Sequence, residues 1–152
     1  MKFLTLSLLL LFTACVTPKP ENMKRDVAHY TLPKLPKNGG AILYVVRPAT
    51  LGAMIKFNIF IDNKEADSEV GYTKGKEYLY IYLSAGQHQI LSKAKNWALL
   101  NIDVKEGDIL FLEQKPSSGF PLPSNELIRL LDYEGKYHVK HLKLGTFIKE
   151  AK

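Results

Sequence analysis

An all-β fold, an antiparallel β-sandwich of about seven to eight strands, is what this sequence predicts, with room for one short helix near the C-terminus. Three observations carry the prediction. From Gly39-Gly40 onward, short apolar runs recur at intervals of about ten residues with turn signals between them, the spacing of antiparallel two-sheet proteins. The runs are rich in β-branched and aromatic residues, which fit a pleated, half-buried surface. Over the same region no apolar stripe repeats at helical spacing. With 152 residues, 46% of them hydrophobic, the chain has the size and composition for one domain with its own core, so neither metals nor crosslinks are required to stabilise it.

The chain opens with Met1-Lys2, an apolar stretch from Phe3 to Phe12, and the small pair Thr13-Ala14 before Cys15, its single cysteine. A positive start, a short apolar stretch and a small-residue exit make residues 1–14 an expected export signal; the stretch is too short for a transmembrane helix, which needs roughly 20 apolar residues. Leu11-Phe12-Thr13-Ala14-Cys15 resembles a bacterial lipobox, with Phe12 where Leu is usual. The resemblance implies that the Cys15 thiol takes a diacylglyceryl group and the new terminus a further chain such as palmitate. Two or more chains anchor a protein stably, because each buried methylene contributes about 0.8 kcal/mol. Val16 follows, and by resemblance to enterobacterial sorting the absence of Asp at this position implies the outer rather than the inner membrane.

Residues 15–38 are expected to form the lipidated terminus and a tether. Pro18, Pro20, Pro33 and Pro36, interspersed with Lys19, Lys24, Arg25, Lys34 and Lys37, predict extended, mostly unpaired backbone, since proline removes donors and fixes φ. A single domain then spans 39–152. Ala41 to Arg47 is a β-rich run stopped by Pro48, and Ile55 to Asp62 alternates apolar with polar residues. Asp62-Asn63-Lys64 is a turn, a weaker strand follows near Ala66 to Val70, and Glu77 to Leu83 alternates with marked regularity. Ala85-Gly86 turns the chain into a strand from Gln87 to Ala94. Trp97 to Val104 and Ile109 to Glu113 read as a pair joined through Glu106-Gly107-Asp108. Pro116 to Pro123 reads as a loop, because its three prolines are unsuited to a central strand. Glu126 to Leu131 fits a strand or a helical turn, and Tyr133 to Leu144 admits a short helix before a last strand.

The run Ala41-Ile42-Leu43-Tyr44-Val45-Val46-Arg47-Pro48, then Ile59-Phe60-Ile61-Asp62, then Tyr80-Ile81-Tyr82-Leu83-Ser84-Ala85-Gly86-Gln87-His88, resembles a family of small bacterial lipoproteins classed as a domain of unknown function. The resemblance spans roughly Gly40 to Leu144 and implies a transthyretin-like or immunoglobulin-like sandwich. It brings no activity with it.

Catalytic motifs are scarce. Gly71 to Glu77 is one residue short of a phosphate-binding loop and ends in an acid, and the dinucleotide and nucleophile-elbow signatures are missing. His138 and His141 share a face only if their segment is helical, and a metal needs more ligands than two. Asp62, Glu65, Asp67 and Glu69 lack the glycine and spacing of a calcium loop. No cofactor and no metal site are therefore expected. The net charge of +6 favours anionic partners in general, but three scattered arginines do not make a nucleic-acid surface. Five residues are candidates for a binding surface. Tyr78, Tyr80 and Tyr82 share one face of their strand, spaced about 7 Å apart, opposite the aliphatic Leu79, Ile81 and Leu83. They either stack on sugars or on a protein partner, or pack beneath the 116–123 loop or the C-terminal segment. Arg47 and His88 stand at the family motifs, where they either converge at one end of the fold or simply close a strand and open a hairpin. The expectation is a membrane-anchored envelope lipoprotein whose sandwich binds or scaffolds an envelope protein or a glycan. The alternatives are an enzyme acting on envelope polymers and a periplasmic enzyme inhibitor.

Overall fold

The computed structural model describes residues 17–149; the expected export signal at 1–14 and the expected lipidation site Cys15 lie outside the described residues. Among the described residues the protein is mostly β, with ten strands in two open five-stranded sheets and two helices. The strands are β1 (Gly40–Arg47), β2 (Phe57–Ile61), β3 (Glu69–Thr73), β4 (Glu77–Ser84), β5 (Gly86–Lys93), β6 (Trp97–Val104), β7 (Ile109–Ser117), β8 (Ser124–Arg129), β9 (Lys143–Leu144) and β10 (Thr146–Phe147). The helices are α1 (Pro20–Val27) and α2 (Asp132–His141). One sheet runs β8-β7-β1-β4-β9 and the other β10-β3-β2-β5-β6.

β1 explains the arrangement of the first sheet. Ala41, Leu43 and Val45 point one way and Ile42, Tyr44 and Val46 the other, and all six are buried. A strand apolar on both faces must be covered on both. The inner face joins a core supplied by both sheets: Leu79, Ile81 and Leu83 from β4 and Leu110 and Leu112 from β7 meet Ile59, Ile90, Ile102 and Val104 of the second sheet. The outer face carries Ile42, Tyr44, Val46, Tyr78 and Phe111 beneath Leu32 and Val139. Gly135 lets α2 approach that face, since a Cβ there would stand 2.0 Å from the Phe111 ring.

Several expectations need correction. Ten strands replace seven or eight, and the first sheet is mixed, because β1 pairs with β7 and β4 with β9 in parallel. The expected β6–β7 hairpin is a crossover between sheets: β6 pairs with β5, while β7 lies beside β1 and β8. Its turn is held to the start of β1 by Gly107 N–H donating to the Gly40 carbonyl at 2.8 Å, which diverts the chain to the other sheet. Pro116 belongs to β7, paired with Asn125 beyond the reach of β1, so its missing donor disturbs no central ladder. The weak strand near 66–70 is a 3-10 turn at Ala66–Ser68 leading into β3. The segment expected to be extended holds α1, with Pro20 in its first turn, Glu21 at its N-terminal end and Lys24 and Arg25 at its C-terminal end, each suited to the helix dipole. Its buried Met23 and Val27, four apart, form one face. At the C-terminus the structure decides between the alternatives the sequence leaves open: β8 is a strand, and α2 followed by β9 occupies 132–144.

Candidate functional site

Among the described residues neither helix packs on the outer face of the second sheet, although Phe60 and Leu91, paired on that face, are buried. β5 and β6 pair antiparallel in unbroken register, so alternate residues face each other across the strands. On the outer face these pairs are Gln87 with Asp103, Gln89 with Asn101, Leu91 with Leu99 and Lys93 with Trp97. With alternate residues of a strand about 7 Å apart, the row extends about 20 Å. It grades from amides and acids at one end to the exposed Leu99 and the half-buried Trp97 at the other, with Leu91 fully buried between them.

An open groove of about 720 Å³ occupies the polar end, lined by Asp62, Gln87, His88, Gln89, Asn101, Ile102 and Asp103. Gln89 Nε2 donates to Asn101 Oδ1 at 3.1 Å, which orients both amides and leaves each with further donor and acceptor capacity toward the groove. At the far end Trp97 packs edge-on against Phe60, with ring centroids 5.0 Å apart, and the Lys64 and Lys93 ammonium groups lie 5.1 and 5.0 Å from its ring centre. In the sequence Trp97 marks only the start of a strand. The alternation Trp97, Leu99, Asn101, Asp103 was visible, but nothing in it tells which face of the strand is left open.

His88 forms the end wall of the groove. Its Nδ1 lies 3.1 and 3.0 Å from the two Asp62 carboxylate oxygens, and its Nε2 lies 3.0 Å from the Ser84 carbonyl and 3.3 Å from the Ser84 hydroxyl. Serine, histidine and aspartate in line resemble a nucleophile relay, which needs a free lone pair on Nε2. The nearer neighbour of Nε2 is a carbonyl, and with Asp62 on Nδ1 the ring bridges the turns at Asp62 and Ser84 rather than serving the hydroxyl alone. Asp62, at φ 68°, also accepts from Gln89 N–H at 3.0 Å.

The other candidates are placed elsewhere. Arg47 is fully buried, so it does not belong to a binding surface and does not converge with His88. Its guanidinium donates to the carbonyls of Ile55 (2.6 Å), Gly52 (2.8 Å), Thr73 (3.2 Å) and Leu51 (3.3 Å) and lies 3.5 Å over the Phe57 ring. Burial pulls its pKa down to about 10, which leaves it charged at neutral pH. Tyr78, Tyr80 and Tyr82 do oppose the core-facing Leu79, Ile81 and Leu83, but they are not an open row of rings. Tyr78 is buried, and Tyr80 and Tyr82 are half-buried beside Leu32, Val139 and Leu142. Lys34 and Lys37 lie over Tyr80 and Tyr82 at 5.8 and 4.0 Å, and Phe147 meets Tyr80 at 5.1 Å. Their cover is the 30–37 segment and the C-terminal region, not the loop before β8. Burial raises the Tyr78 phenol pKa above its ordinary value. On α2, His141 Nε2 is 2.7 Å from Asp26, and burial holds His138 below its ordinary value. Among the described residues no three His, Cys, Asp or Glu side chains gather as metal ligands.

No family model matches the chain, and no solved structure matches it. A Haemophilus influenzae protein (strain ATCC 51907 / DSM 11121 / KW20 / Rd), described as an uncharacterized protein, is 24% identical over 138 residues, which cover 90% of this chain and 79% of the relative.

Proposed function

We propose that this chain is a lipid-anchored protein of the bacterial cell envelope whose two sheets form a β-sandwich, and that it works by holding an envelope glycan on the outer face of the second sheet. The observation that carries the reading is the β5–β6 row, in which amides and carboxylates lining an open groove give way to a half-buried indole along one strand pair. Sugars present hydroxyls that both donate and accept, which Gln87, Gln89 and Asn101 match, and apolar ring faces that stack on an indole. The two ammonium groups beside Trp97 suit acidic substituents on such a chain. The anchor rests on the lipobox resemblance at Cys15, and incorporation of labelled palmitate that is lost in Cys15→Ser is its test.

Trp97 is the protein's single tryptophan, so intrinsic fluorescence reports on the site directly. Titration with soluble peptidoglycan fragments is expected to shift Trp97 emission saturably. Gln89→Ala with Asn101→Ala is expected to weaken binding about tenfold, from two hydrogen bonds of about 0.5–1.5 kcal/mol each. Unchanged emission at millimolar fragment defeats the glycan reading, and turnover of the fragments by the pure protein replaces it with an enzyme.

A further inference from the structure

The strand ends divide the molecule into two unlike poles. Register places Arg47 beside Glu77, and Arg47 reaches Ile55 and Thr73, so the loops 48–56, 74–76, 94–96 and 118–123 gather at one end. They are knitted together: Gly75 N–H donates to the Ala53 carbonyl at 2.9 Å, Lys95 Nζ to the Phe120 carbonyl at 2.9 Å, and Asn96 Nδ2 to the Asn125 carbonyl at 2.9 Å. Gly52 packs so closely on Pro123 that a Cβ would stand 2.7 Å from its ring. From this joined surface Phe120 and Met54 project, 91% and 79% exposed, with Leu51 and Leu122 beside them also exposed.

Charge is distributed unevenly between the poles. The apolar pole carries Lys56, Lys74, Lys76 and Lys95, and its carboxylate Glu77 is engaged by the Lys74 backbone N–H at 2.8 Å. The opposite pole, at turns 62–68 and 105–108, carries Asp62, Glu65, Asp67, Glu106 and Asp108 against Lys64 and Lys105, the former reaching over Trp97, and so is net acidic. Exposed apolar tips ringed by lysines, on a body whose far end is acidic, match an anionic bilayer surface, into which apolar side chains insert while ammonium groups meet phosphates. We infer that the 48–56 and 118–123 loops dock onto anionic phospholipid and orient the body with that pole toward the membrane. This goes beyond the lipid anchor, because it specifies which surface faces the bilayer and does not require Cys15 to be acylated. Arg47 is the positioning residue: by fixing the carbonyls of Leu51, Gly52 and Ile55 from beneath, it presents the loop as a rigid ledge.

The test is hydrogen exchange of the full chain with vesicles of phosphatidylcholine alone or mixed with phosphatidylglycerol. Protection confined to 48–56 and 118–123, and present only with the anionic lipid, is expected. Lys56→Glu with Lys95→Glu is expected to lower partitioning onto anionic vesicles at least about tenfold, and Met54→Ser with Phe120→Ser to abolish the loop protection. All four side chains are exposed, so near-ultraviolet circular dichroism should confirm intact folding. Equal protection on both vesicles, protection at the acidic pole, or protection growing with protein concentration without lipid overturns the inference, the last by assigning the ledge to a second copy. Binding to neutral vesicles that none of these variants alters reports separately on the anchor.

Discussion

Arg47 shows how far a single residue's role departs from what its type and place suggest. A cation closing a strand before proline reads as a surface group or half of an ion pair, yet here four carbonyls and an aromatic face take the place of a carboxylate. Hydrogen bonds from a charged donor contribute about 1.5–3 kcal/mol each, and they offset the cost of burying the guanidinium. Arg47→Met is therefore expected to destabilise the protein by about 2–4 kcal/mol, as the carbonyls lose their donors while the apolar volume is kept. Urea unfolding is the measurement. Arg47→Lys should fall between, since one ammonium cannot reach all four acceptors. An unchanged midpoint in Arg47→Met would show that water satisfies the loop as well as the arginine does.

At the scale of elements, α1 lies beside α2, and part of what joins them is ionic. Lys140 Nζ reaches Asp26 Oδ1 at 2.9 Å, and His141 Nε2 reaches Oδ2 at 2.7 Å. Hydrogen bonds from His141, then from Lys140, hold the Asp26 carboxyl below its ordinary value. A carboxylate depressed in the folded state contributes stability that is present above its unfolded value of about 3.9 and is lost as pH falls through the lower folded value. Amide exchange in 20–27 is accordingly expected to be slow at pH 6 and to rise below about pH 4, while β1 and β4 stay protected. Exchange in α1 that is indifferent to acid would mean that Met23 and Val27 alone hold the helix. The signals for α1, a proline at its start with an acid and then bases following, were present in the sequence. They were outweighed by the density of prolines around them, because α2, the helix that α1 packs beside, lies more than a hundred residues away in the chain.

For the whole molecule, the joining of the two sheets is only partly apolar. Gln114 of β7 is fully buried and crosses the core: Thr73 Oγ1 donates to its Oε1 at 2.5 Å, and its Nε2 donates to Ser92 Oγ at 2.7 Å and the Phe57 carbonyl at 3.3 Å. Three strands of the second sheet are thus pinned to one residue of the first. Gln114→Leu leaves the two hydroxyls and the carbonyl without partners, at about 1–3 kcal/mol per stranded group, and is expected to lower the unfolding free energy by about 2–5 kcal/mol. Adding Thr73→Val and Ser92→Ala should recover most of the loss, because removing all polar partners together is nearly neutral. If the triple variant is no more stable than Gln114→Leu, the residue matters for its shape rather than its hydrogen bonds.

Alternation along the chain was enough to locate β1, β2, β4, β5 and β6 within a few residues, and to put Leu79, Ile81 and Leu83 in the core, because side chains in a strand change faces at every step. Local turn residues likewise marked Ala85-Gly86 and Glu106-Gly107-Asp108. What periodicity does not encode is which strand a turn delivers the chain to, or what later packs on a given face. The mixed first sheet, the covering of Tyr78, Tyr80 and Tyr82, the burial of Arg47 and the polar groove at Gln87, Gln89, Asn101 and Asp103 were all settled by contacts between residues far apart in the chain. A face becomes a site only when no other part of the molecule buries it, and that is decided by the assembled fold.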